Sequence, residues 1–76
     1  MEAKEEALIR SLIDVDPELS KHYEEHAELK QRLETLRLKS ILTEEEEIEQ
    51  KLIQKQKLAS KDRMMEILAR HRQAAA

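Results

Sequence analysis

Not one glycine occurs in this chain, and Pro17 is its only proline. Tight reversals between strands depend on residues that accept positive φ or preset a turn, so a sheet has almost nothing to turn on here. Helices need neither residue in their interiors, and Leu, Glu, Lys, Ala, Gln and Arg, which make up most of the chain, are strong helix formers. The class this predicts is all-α. At 76 residues a single core rarely contributes more than about 3–5 kcal/mol, so residues 1–76 are expected to form one domain.

The helix boundaries come from capping chemistry. Asp16 before Pro17 is an N-cap followed by a proline at the first helical position, where a missing N–H costs nothing. Thr43 and Glu46 have the spacing of a capping box, each side chain reaching the other's free backbone donor, and Glu44, Glu45 and Glu47 place negative charge at the positive end of the helix dipole. Helices are therefore predicted over about 3–14, 17–40 and 44–72.

Apolar spacing then predicts the packing. Leu19, His22, Tyr23, His26, Leu29, Leu33 and Leu36 form a narrow coiled-coil-like seam on the second helix. On the third, Ile48, Leu52, Leu58, Ala59, Met65 and Leu68 form one broad stripe, while Ile53, Met64 and Ile67 fall outside it. Charge is unevenly distributed: residues 1–49 hold seven basic and fifteen acidic side chains, residues 50–76 seven basic and two acidic. The acid-rich start of each long helix can thus lie beside the base-rich end of the other. With a short connection between them, the expected architecture is an antiparallel helical hairpin of two long helices carrying a short N-terminal helix.

Several function classes have no support. There is no cysteine for disulfides, zinc knuckles or thiol catalysis, no Gly-flanked nucleophile and no phosphate-cradling loop, so no enzyme, no catalytic residue and no cofactor is expected. No apolar run approaches the roughly 18 residues of a membrane span, and Glu2, Glu5 and Glu6 make the start acidic where a signal peptide is basic; a soluble cytoplasmic protein is expected. His22 and His26, four apart, are weak metal candidates, because zinc wants a third or fourth ligand. Packing in the seam is their main reading. Lys51, Lys55, Lys57, Lys61 and Arg63 could meet phosphate backbones by charge alone, but Tyr23 is the only aromatic ring on which a base could stack.

The stretches Leu8-Ile9 to Leu12-Ile13, Asp16-Pro17-Glu18-Leu19, Glu25-His26-Ala27-Glu28-Leu29 and Lys57-Leu58-Ala59-Ser60-Lys61-Asp62 resemble the YdcH-like family of small, mostly bacterial helical-hairpin proteins of uncharacterised function. The resemblance covers about residues 8–68 and departs from the family pattern at Leu19, where an aromatic residue is common, and at Ser60, where an apolar one is. It implies a hairpin fold, assigns no chemistry, and marks His26, Leu29, Leu58, Lys61 and Asp62 as motif positions.

The functional expectation is a non-enzymatic interaction module that self-associates weakly or binds a partner helix. Its expected interaction surface is Ile53, Met64 and Ile67 with Leu8 and Leu12 of the first helix. A nucleic-acid accessory role for residues 50–76 is the second reading, and a metal-binding regulator the third.

Overall fold

The computed structural model describes residues 2–75, which form three helices, α1 (Ala3–Leu12), α2 (Pro17–Arg37) and α3 (Glu44–Ala75), with no strand among the described residues. At about 1.5 Å rise per residue, α3 alone is about 48 Å long, and the whole molecule measures 49 × 20 × 16 Å. One helix therefore sets its length.

Both predicted caps form. Asp16 accepts from the Leu19 amide at 3.1 Å with Pro17 directly behind it, and the Thr43–Glu46 box closes in both directions, at 3.0 and 3.1 Å. In each capping carboxylate the second oxygen reaches a different part of the chain. Oδ2 of Asp16 lies 2.7 Å from Nε2 of His71, near the end of α3, and Oε2 of Glu46 receives Nζ of Lys39 from the preceding connection. Each cap therefore starts a helix and also ties that helix to a distant or preceding segment.

The α2–α3 contact is the principal interface, and α1 touches both helices. Charged partners run in opposite order along the two long helices: Asp16 with His71, Glu18 with Arg70, Arg32 with Glu49 and Lys39 with Glu46. Arg32 lies at the edge of the interface, with Nε 2.5 Å and Nη2 3.4 Å from the two Glu49 oxygens.

Burial divides into two clusters. Ile9, Leu19, Met64, Ile67 and Leu68 form one, with Leu8, Leu12, Ile13, Tyr23 and Met65 packed partly against it. Leu33, Leu36 and Ile53 form the other, beside the connection, with Leu29 and Leu42 against them. This corrects the expected interaction surface. Ile53, Met64 and Ile67 are buried within the chain, and Leu8 and Leu12 are partly covered. The reason is register: the face of α3 that meets α2 steps by four and three through Ile53, Lys57, Ser60, Met64, Ile67 and His71, so it includes polar residues that a search for apolar ones passes over. Ile48, Leu52 and Leu58, grouped in the broad stripe, are left exposed.

The helix ends also differ slightly. α1 stops at Leu12 and α2 at Arg37, and beyond Arg37 the side chains of Leu38 and Ile41 stay exposed, so they add no burial that would favour further helix. Residues 38–43 reverse the chain without a positive φ anywhere among the described residues.

The packing predicts a sharp contrast between neighbours. Leu36 is fully buried and Leu38 is 84% exposed, so Leu36→Ala should cost about 2–5 kcal/mol and Leu38→Ala no more than about 0.5 kcal/mol in urea unfolding. Equal losses would refute this burial.

Candidate functional site

Between the two apolar clusters the interface turns polar. α2 contributes His26 at a seam position, and α3 brings Lys57 and Lys61 beside it, with Ser60 on the same stretch of α3. Ser60 is buried, while His26, Lys57 and Lys61 are half-buried. Small and long polar side chains do not fill a seam as Leu does, and open grooves flank the waist on both sides.

The first groove runs past Tyr23, His26, Lys30, Lys57, Leu58 and Lys61, with Glu6 of α1 at its rim. Three of the motif positions, His26, Leu58 and Lys61, converge on it. Among the described residues Lys30, Lys57 and Lys61 take part in no ion pair, in contrast to Arg32, Arg37, Lys39, Arg63 and Arg70. The His26 imidazole responds to this setting: burial lowers its proton affinity below the ordinary 6.5, and the positive charges of Lys57, Lys30 and Lys61 push it further down. The groove therefore favours negative charge.

The second groove lies on the other side of the waist, between Glu25, Glu28 and Leu29 of α2 and Leu52, Gln56 and Ala59 of α3. Its character is acidic and apolar. Leu29 belongs to this side, and Asp62 is exposed outside both grooves.

The two histidines separate in role. Nδ1 of His22 lies 3.6 Å from Glu25 Oε2, whereas His26 faces lysines, which disfavour a cation nearby. Among the described residues no three His, Asp or Glu side chains gather as a metal would require. His71, the third histidine, had no assigned part; it sits on the four-three register of α3 at the level of Asp16, and that register was the signal that could have placed it. The basic segment 50–76 is not one surface either. Lys57 and Lys61 enter the first groove, while Arg63 pairs with Glu66 and Arg70 with Glu18. No described helix is long and apolar enough to cross a membrane.

Comparison with known proteins leaves this geometry to speak for itself: the chain matches no family model, no curated protein and no solved structure.

Asp16, Glu46 and His26 all have lowered proton affinity and act in one direction on stability. Hydrogen bonding from His71 and from the Leu19 amide holds the Asp16 carboxyl below 3.8. Lys39 and the Thr43 backbone lower Glu46 from 4.5 to about 2. For these acids and for His26 the unfolded chain takes up protons more readily, so stability is fullest above 6.5 and declines in two stages as pH falls. The first stage, below 6.5, belongs to His26; the second, below 4.5, to Glu46 and Asp16. In urea midpoints measured against pH, His26→Gln should flatten the upper stage, and Asp16→Asn with Glu46→Gln the lower one. In a proton NMR titration, Lys57→Met should return the His26 midpoint part of the way toward 6.5, because burial remains. An unchanged midpoint would remove the lysine from the site.

Proposed function

We propose that this protein is a non-enzymatic interaction module, an antiparallel helical hairpin braced by α1, that docks another helix against the exposed side of α3. One observation carries the reading. Ile48, Leu52 and Leu58 stand 68%, 52% and 59% exposed on the same helix that buries Ile53, Met64, Ile67 and Leu68. A long helix that keeps large apolar residues in solvent, after one of its sides has been covered, is suited to a further helical partner. The waist supports the same reading, since its grooves are open and framed by helices.

A tagged protein carrying Leu52→Glu and Leu58→Glu should lose the polypeptides that the parent captures from extracts of its source cells, while keeping its helical circular dichroism. A control with Ala69→Glu, also at an exposed position, should keep them. Identical capture by all three would end the proposal.

The unpaired Lys30, Lys57 and Lys61 favour a second reading, an accessory role on nucleic acid. Counterion release needs only such cations, but Glu6 at the groove rim and the dispersal of the other basic residues make a poor track for a phosphate backbone. This reading predicts retention on single-stranded DNA that falls steeply with salt and disappears when the three lysines become alanine.

A further inference from the structure

The outward side of α3 has a four-three register of its own. Glu45, Ile48, Leu52, Lys55 and Ala59 succeed one another by steps of three, four, three and four, and all five are exposed. Such a stripe is a coiled-coil seam without its partner. Its composition is ordered: two large apolar residues at the middle, an acid before them and a base after them. Neither Glu45 nor Lys55 enters an ion pair among the described residues, although neighbouring Glu46 and Glu49 do.

The geometry points to a second copy of this chain as the occupant: the α3 helices of two molecules pack antiparallel about a two-fold axis at residue 50, through Ile48 and Leu52. This specifies the partner within the interaction-module reading and rests on it. Antiparallel coiled coils set one helix's first seam position against the other's second, and the two-fold makes every contact reciprocal. Centred on residue 50, Ile48 faces Leu52 of the second copy and Leu52 faces its Ile48. Glu45 meets Lys55 at either end, so each unpaired acid gains a base. Shifting the axis to pair Ile48 with Ala59 would set Glu45 against Asp62 and Leu52 against Lys55, which is why one register is selected. Parallel packing would oppose Glu45 to Glu45 and Lys55 to Lys55. The result is two hairpins joined back to back through α3, which covers the Leu52 and Ala59 edge of the acidic groove and leaves the basic groove around His26 open.

Sedimentation equilibrium of the full chain, from micromolar to millimolar concentration, tests the arrangement. The parent should dimerise, and Leu52→Glu should be monomeric at unchanged helix content. Glu45→Lys alone, or Lys55→Glu alone, should weaken the dimer about tenfold by opposing like charges, and mixing the E45K and K55E chains should restore it as a heterodimer. That mixture also guards against a folding defect in either variant, because recovery requires both to be intact. A parent that stays monomeric throughout, or a dimer indifferent to both charge reversals and to their mixing, overturns the two-fold arrangement. The capture experiment on Leu52 and Leu58 separates the outcomes: a foreign partner lost from the double variant would leave the interaction module standing with this dimer refuted.

Discussion

Everything in this molecule depends on the seam between α2 and α3 being apolar at its two ends and polar between them. A helix of 21 residues and one of 32 have no glycine turn to force them together, and the connection adds little, with Leu38 and Ile41 exposed. Association of the two therefore rests on burying Leu33, Leu36 and Ile53 near the connection and Leu19, Met64, Ile67 and Leu68 at the far end. Two short clusters in series hold the helices at two points, which fixes their alignment better than one longer cluster in the middle.

The far cluster is where α1 becomes necessary. Ten residues make a marginal helix in water, and α1 lacks a side-chain cap on Glu2. Ile9 is nevertheless fully buried against Leu19, Met64 and Leu68, so tertiary contact supplies what its length does not. Asp16 sits at the junction of all three elements. One oxygen starts α2, the other meets His71 of α3, and its position directly after the α1 turn keeps α1 over the cluster. Glu46 repeats the device at the opposite end with Lys39.

The polar waist carries a cost in stability, since an interface with Lys57 and Ser60 at seam positions forgoes two apolar contacts. The return is a pair of grooves with opposite character, a basic one around His26 and an acidic one around Glu25 and Glu28. A fully apolar seam would have closed both. The exposed stripe of α3 borders the acidic groove through Leu52 and Ala59 and takes no part in the basic one, so contacts made through the stripe leave the basic groove accessible, and a molecule of this size can offer two kinds of surface.

Helix number, helix starts and the pairing of acid-rich with base-rich segments were legible in the residues themselves, because caps and dipole charges act within one turn: Asp16 with Pro17 and Thr43 with Glu46 needed no partner to be recognised. The faces of α3 were not legible from its apolar residues. Its second and third sides each carry enough Leu, Ile and Met to look like a core, and the true register passes through Lys57, Ser60 and His71, which gain their places only because α2 and Asp16 stand opposite. For the same reason Ile53, Met64 and Ile67 were misplaced as surface, while Ile48, Leu52 and Leu58 were misplaced as core. Local hydrogen bonding and intrinsic propensity, which are short-range, made this chain helical and set where its helices begin. Which side of α3 is buried, which histidine is tied to a carboxylate and which lysines lack a counter-ion were decided by long-range packing between elements, for which the sequence holds several near-equivalent solutions and the tertiary structure selects one.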